Sequence, residues 1–176
     1  MNELLKLARE TLKTYFEGKE LEISENIKKK YSEEKACFVT LTKNGELRGC
    51  VGSLKARQEL WKDVVENSIN AAFNDSRFSE LTLEELKKIK IEISILSIPK
   101  KIVFANLEEL KKKITKNGVI IKKGFASATY LPQVWEEISD KEEFLGSLCL
   151  KAGLNKNAWK EKGLEVWIYD IKGMKE

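Results

Sequence analysis

The chain contains no histidine, and this absence removes several classes of active site. Catalysis by Ser-His-Asp or Cys-His groups is excluded because both need an imidazole base. Zinc and iron sites that depend on histidine ligands are excluded for the same reason.

Cysteine and proline are also scarce, with three and two residues in a chain of 176. Cys37, Cys50 and Cys149 form no CxxC pair, and their odd number does not suit a disulfide framework. No apolar run approaches the roughly 20 residues that a membrane helix requires, and the N-terminus is amphipathic rather than a signal peptide. We therefore expect a soluble protein of the reducing cytoplasm with no membrane association.

Charge of one sign is not gathered into a single arm of the chain. The 32 basic and 28 acidic residues give a net charge of +4, and the lysines are scattered over many segments, which argues against a nucleic-acid partner. The charged fraction of 34% is typical of heat-adapted proteins. Only four cations are arginines, and Arg48 and Arg77 are of interest because a flat, two-pronged guanidinium differs most from lysine at specific contacts.

Hydrophobic spacing changes repeatedly between the helical and the strand period. The predicted helices cover residues 3–17 and 57–73, a short piece after Thr82, a segment after Asn106, and a segment after Asp140 that ends at Gly153. The predicted strands are a hairpin around Asn44-Gly45, a strand over 88–98, two strands joined near 122–124, and a strand over Leu164–Ile171. This order predicts an α+β fold with a mostly antiparallel sheet flanked by helices. The length suits one domain over residues 1–176, with or without a smaller lobe, and a polar connecting segment over 19–34.

The stretch ELRGCVGSL, residues 46–54, places a thiol between two glycines on the return strand of the hairpin. Side chains alternate along a strand, so Arg48 and Cys50 are predicted to share one face, opposite Gly49. A cation beside a thiol lowers its pKa, and the glycines allow close approach of a ligand, which together resemble an anion or acyl site. The alternative is a tight crossing where only small residues fit. Cys37 and Cys149 lie on apolar stripes and are predicted to be buried.

These residues carry a specific resemblance. LRGCVGSL resembles the LRGCIG motif of the AMMECR1 family, with Val51 at the usual isoleucine. The segments AAFNDSRFSELTLEEL, IEISILS, SATYLPQVWEE and FLGSLCLKAGL are similar to further family segments in the same order, so the likeness covers roughly residues 35–172. The resemblance implies an α+β body, a smaller lobe and a groove between them near the LRGC motif.

The family has no settled biochemical activity, so no cofactor follows from the resemblance. Its prokaryotic members resemble protein A of the AmmeMemoRadiSam system, which implies a Memo-like protein and a radical SAM enzyme as partners. Many relatives have His-Gly where this chain has Asn117-Gly118, so no histidine chemistry carries over.

The motifs give a set of candidate site residues and no metal ligands. The candidate catalytic residues are Cys50 and Arg48, and the candidate ligand-binding residues are Gly49, Gly52, Ser53, Asp75, Arg77 and Tyr130. Asp75 and Arg77 could instead pair and fix their loop, and Tyr130 could anchor a strand end.

Two functions follow for this set of residues. The first is a ligand- or partner-binding module with a groove centred on LRGCVG. The alternative is a thiol-dependent enzyme in which Arg48 activates Cys50 toward a small anionic or acyl-type substrate.

Overall fold

The computed structural model describes residues 2–176 and divides them into two compact units. The first unit comprises the residues up to 96 together with 172–176, and the second comprises 97–171. Each unit has a four-stranded antiparallel sheet and its own cluster of buried apolar side chains. The predicted α+β class is therefore confirmed.

Helices and strands follow one another along the chain in short elements. In chain order they are α1 (Glu3–Glu17), α2 (Glu25–Lys30), β1 (Cys37–Lys43), β2 (Glu46–Gly52), α3 (Leu60–Phe73), α4 (Leu83–Leu86), β3 (Ile89–Leu96), β4 (Lys100–Ile102), α5 (Leu107–Lys113), β5 (Gly118–Lys123), β6 (Ala126–Tyr130), α6 (Val134–Glu137), α7 (Lys141–Lys151), a 3-10 turn (Ala158–Lys160), β7 (Glu165–Tyr169) and β8 (Ile171–Lys175). None of the helices within residues 2–176 has both the length and the apolar content to cross a membrane.

Local sequence signals set several of these boundaries. Gly18 has φ +63° directly after α1, a conformation that ends helices and that glycine adopts without strain. Asn44 and Gly45 have φ +54° and +87°, as a two-residue hairpin turn between β1 and β2 requires. The Thr82 hydroxyl accepts a hydrogen bond from the Glu85 amide and opens α4 with the predicted capping box.

The first sheet has the strand order β2-β1-β3-β8, with β2 at one edge. Helix α3 packs on β1 and β2, and α1 packs on β3, so one side of the sheet forms the core with Val39, Leu41 and Ile91 fully buried. The opposite side, called here the outer face, carries the alternate side chains of these strands. It includes Thr40 and Glu92, which lie directly opposite each other on β1 and β3.

The second sheet has the order β4-β7-β5-β6 and packs with α7 around Phe144, Leu145 and Leu148. One prediction about its last strand is wrong. The apolar segment over Leu164–Ile171 is not a single strand, because the chain breaks at Asp170 and continues as β8 in the first sheet. Asp170 and Ser97 hold this break through a Ser97 N–H to Asp170 carbonyl bond of 2.8 Å and an Asp170 N–H to Ser97 hydroxyl bond of 2.9 Å.

Candidate functional site

Strand β2 contains a β-bulge at Arg48. Leu41 on β1 pairs with Gly49, while the next residue, Thr42, pairs with Leu47, so Arg48 is an extra residue without a partner. A bulge interrupts the regular alternation of side chains. The prediction that Arg48 and Cys50 lie together on one face is therefore wrong.

The Arg48 guanidinium is instead bound to Glu85 of α4. Arg48 Nε lies 3.1 Å from Glu85 Oε1 and Nη2 lies 2.9 Å from Oε2, a two-pronged ion pair, and Nη2 also donates to the Glu80 carbonyl at 3.2 Å. The Lys43 ammonium reaches Glu85 Oε1 at 2.9 Å. The two cations, Arg48 first, hold the pKa of Glu85 well below its usual range. Arg48 thus ties the bulge to α4 and is not available to the thiol.

Asp75 and Arg77 clamp the backbone of Cys50 from the loop after α3. The Cys50 N–H donates to Asp75 Oδ2 at 2.9 Å, and the Cys50 carbonyl accepts from Arg77 Nη2 at 3.1 Å. The two side chains are ion-paired at 2.7 Å, and the Arg77 hydrogen bonds hold the pKa of Asp75 well below its usual range. Because β2 is an edge strand, this pair satisfies groups that would otherwise be open to another strand.

Phe78 of the same loop lies beside both guanidinium groups. Its ring centroid is 5.9 Å from Arg48 Cζ and 5.5 Å from Arg77 Cζ, within cation–π range. Residues 75–78, with the sequence DSRF, therefore contact both the bulge at Arg48 and Cys50, two residues further along the strand.

The Cys50 thiol lies on the outer face and is half-buried, whereas Cys37 and Cys149 are fully buried as predicted. Its sulfur is 3.1 Å from Thr40 Oγ1, the residue that pairs with it on β1. Burial raises the pKa of the Cys50 thiol, an effect that the Thr40 hydrogen bond and the Arg77 charge only partly oppose. Arg48 is not among the groups that lower the pKa of this thiol.

The two glycines of the motif allow close packing of the chain on itself. A Cβ at Gly49 would lie 2.1 Å from the Ala71 carbonyl oxygen of α3, and one at Gly52 would lie 2.4 Å from the Cys37 carbonyl oxygen. These contacts correspond to the tight crossing that the sequence left as an alternative. The glycines bring β2 against α3 and β1.

Ser53 continues this structural pattern. Its hydroxyl lies 3.1 Å from Oδ1 of Asp63, a buried carboxylate of α3 that also accepts the Cys37 N–H at 2.8 Å and the Asn67 side-chain amide at 3.0 Å. The Ser53 side chain therefore supports the junction of β2 with α3.

Tyr130 belongs to the second unit, at the end of β6. Its hydroxyl is 2.8 Å from Ser147 Oγ, its ring packs edge-on against Phe144, and the Lys151 ammonium lies 4.8 Å from the ring centroid. These contacts fit the strand-end anchor that the sequence allowed. Its role in ligand binding stays a prediction.

Three residues near the motif were missed by sequence reasoning: Glu85, Thr40 and Glu92. The sequence pattern predicted Glu85 only as a helix-capping residue, because its ion-pair partner Arg48 lies 37 positions away along the chain. Thr40 and Glu92 could have been found from strand alternation, which places both on the outer face. Cys50, Thr40 and Glu92 form one row across β2, β1 and β3. Within residues 2–176, no three acidic or cysteine side chains are grouped to hold a metal ion.

Comparison with known proteins identifies the family of the chain. The AMMECR1 family model matches residues 5–174. The chain belongs to the AMMECR1 family. A Nanoarchaeum equitans protein, NEQ441, is 41% identical over 171 residues, covering 95% of both chains. An Aquifex aeolicus relative is 40% identical over 96% of this chain and 89% of its own.

A solved structure shares the AMMECR1 fold described above. The crystal structure of uncharacterized protein PH0010 from Pyrococcus horikoshii superposes with a TM-score of 0.89 at 32% identity, covering 98% of this chain and 89% of the other. The resemblance that began with LRGCVGSL is therefore confirmed for family and fold. In this chain the motif residues are mainly engaged by other residues of the first unit, with Arg48 bound to Glu85 and the Cys50 backbone bound to Asp75 and Arg77.

Proposed function

We propose that this AMMECR1 protein is a ligand- or partner-binding module whose binding surface is the outer face of the first sheet around Cys50. The observation that carries the proposal is that Arg48 and the Cys50 backbone of the motif are already bound by other residues of the chain. Arg48 is neutralised by Glu85, and the Cys50 backbone is held by Asp75 and Arg77. Toward the outer face, the motif presents a half-buried thiol on a strand whose edge is already bound.

Leu47 supports a role for this face in contact with another molecule. It lies opposite Thr42 on β1, beside the Thr40–Cys50 pair, and its side chain is 45% exposed. A large apolar side chain, a thiol and a threonine hydroxyl on a fixed sheet suit recognition by complementary shape. The backbone clamp on Cys50 fixes the sheet edge in advance, which lowers the entropic cost of binding.

The partners to be tested are the Memo-like protein and the radical SAM enzyme that the family resemblance implies. The cytoplasm is the proposed compartment, and the three free cysteines support it.

The decisive experiment measures binding of the purified chain to each partner by isothermal titration calorimetry. Leu47→Glu is expected to weaken binding by about tenfold or more, because it places a charge in an apolar contact. The control is Leu83→Glu, which changes a leucine on α4 that is 55% exposed, somewhat more than Leu47. Equal effects of the two variants, or none from Leu47→Glu, would contradict the proposed surface.

A second candidate function is thiol-dependent catalysis at Cys50 on a small anionic or acyl-type substrate. The partial exposure of this thiol, alone among the three cysteines, and its hydrogen bond to Thr40 favour it. The raised pKa and the engagement of Arg48 oppose it.

The rate of iodoacetamide labelling against pH, with the tag located by mass spectrometry, separates the two functions. A binding role predicts that labelling of Cys50 accelerates only above about pH 8.5, the ordinary range of a cysteine thiol. An inflection below neutral pH would instead establish an activated nucleophile.

A further inference from the structure

Glu92 differs from every other carboxylate that is buried or half-buried within residues 2–176. The others, of which Asp63, Asp75 and Glu85 are examples, each take part in a hydrogen bond or an ion pair. Glu92 is half-buried in the middle of β3 and, among the described residues, has neither. The Glu92 carboxylate is therefore left without a partner from the described part of the chain on the outer face, and it can pair with a cationic group from outside the chain.

A depression of about 310 Å³ adjoins this carboxylate and is lined by Glu92, Gly173, Met174 and Lys175. Its volume is at the lower end of the range for small-molecule sites. Lys175 is exposed and, within the part of the chain that is described, makes no ion pair, either with Glu92 or with another carboxylate. Two opposite charges therefore line one depression without neutralising each other within 4.0 Å.

We infer that the depression binds a small zwitterion, an amino-acid-like molecule whose ammonium group pairs with Glu92 and whose acidic group pairs with Lys175. The half-buried Glu92 would gain the cation that it lacks, and the ligand's anionic end would take the free ammonium of Lys175. Gly173 and Met174 of β8 complete the lining of the depression.

The site lies on the same face as Cys50 and extends its row. Cys50, Thr40 and Glu92 occupy neighbouring strands, about 4.8 Å apart, so a ligand at Glu92 is roughly 10 Å from the thiol. The inference rests on the proposed function, because it names a small ligand for the binding face. It differs from a contact with a partner protein centred on Leu47.

The test is titration of the isotope-labelled chain by two-dimensional amide NMR at pH 7. The probes are glycine, β-alanine and 4-aminobutanoate, which separate the two charges progressively, with butanoate and butylamine as single-charge controls. One of the zwitterions is expected to shift the amides of Glu92, Gly173, Met174 and Lys175 saturably. Butanoate and butylamine should bind at least about fivefold more weakly, since each makes only one of the two ion pairs. No saturable shift at about 50 mM zwitterion would overturn the inference.

Two charge-removing variants locate the ligand's ends. Glu92→Gln should weaken zwitterion binding by about fivefold or more, while Glu84→Gln, an exposed carboxylate on α4, should leave it unchanged. Lys175→Met should weaken binding of the zwitterion, while binding of butylamine should stay the same or strengthen because butylamine has no anionic end and is repelled by the Lys175 ammonium. If Lys175→Met leaves zwitterion binding unchanged, Lys175 does not hold the acidic group and the inference is overturned.

Failure here is distinguishable from failure of the proposed function. If Leu47→Glu abolishes partner binding while no zwitterion shifts the Glu92 amide, the binding module is supported and the zwitterion site is contradicted. If a zwitterion binds at Glu92 while Leu47→Glu and Leu83→Glu change partner affinity equally, the zwitterion site is supported and the partner surface is contradicted.

Discussion

The two faces of the first sheet differ in how their charges are compensated. Toward the helices, Arg48, Lys43 and Glu85 neutralise one another within 3.1 Å. On the outer face, Glu92 and Lys175 line one depression without pairing. The difference separates charges that hold the fold from charges without a partner among the described residues.

The largest expected effect comes from removing Glu85. Glu85→Ala should lower the free energy of unfolding by about 3 kcal/mol, since it leaves the Arg48 guanidinium without its counter-charge and removes the capping box of α4. The pair keeps 10% and 16% side-chain exposure, so the low end of the range for buried pairs applies. Urea denaturation measures the change.

The matched control is Glu84→Ala on the same helix, which is expected to change stability by less than about 0.5 kcal/mol because Glu84 is exposed. Similar losses in both variants would mean that α4 is merely sensitive to alanine and that the Arg48 pair contributes little.

The next effect tests whether the motif's glycines are packing residues. Gly49→Ala should cost about 2 to 3 kcal/mol, because its methyl group would lie 2.1 Å from the Ala71 carbonyl oxygen and would push α3 away from β2. Gly173→Ala on β8 should cost under about 1 kcal/mol, since nothing lies within 4 Å of its Cβ position. Thermal and urea unfolding of both variants check the comparison, and a tolerated Gly49→Ala would contradict the tight crossing.

Sequence reasoning recovered the features of the fold that depend on neighbouring residues. The Asn44-Gly45 turn, the Gly18 stop after α1 and the Thr82–Glu85 capping box all follow from local backbone preferences, and all are present. The family and the α+β class followed from motif order. Burial of Cys37 and Cys149 followed from their positions on apolar stripes.

The geometry of the site could not be derived in the same way, because it depends on one inserted residue. A regular two-residue hairpin pairs Thr40 with Gly49, whereas the bulge at Arg48 shifts the register and places Thr40 opposite Cys50. Nothing in the letters LRGC marks a bulge. The partner of Arg48 lies 37 residues away, where local rules carry no information.

A smaller effect is expected at the clamp on the sheet edge. Asp75→Asn should cost about 1 to 2 kcal/mol at neutral pH, because it removes the counter-charge of Arg77 and weakens the acceptor of the Cys50 amide. The pKa of Asp75 is lowered in the folded protein, so its stabilisation is complete above the unfolded value of about 3.9 and is lost as pH falls further.

Urea denaturation at pH 7 and pH 3 gives the sign of this effect. The difference in stability between the wild-type chain and Asp75→Asn should shrink at the lower pH. A difference that stays constant would show that the loss arises from altered packing of the loop and not from the carboxylate charge.

The smallest effect is expected at Cys50, the thiol of the LRGCVGSL motif. Cys50→Ser should change the free energy of unfolding by less than about 0.5 kcal/mol, because the side chain is half-buried and a serine hydroxyl can keep the hydrogen bond to Thr40. Cys149→Ser, in the fully buried core of the second unit, should cost about 2 kcal/mol by placing a hydroxyl among apolar groups. Urea denaturation compares the two. A loss of unfolding free energy in Cys50→Ser as large as that in Cys149→Ser would mean that the Cys50 sulfur is packed in the core. The thiol would then not be available on the outer face.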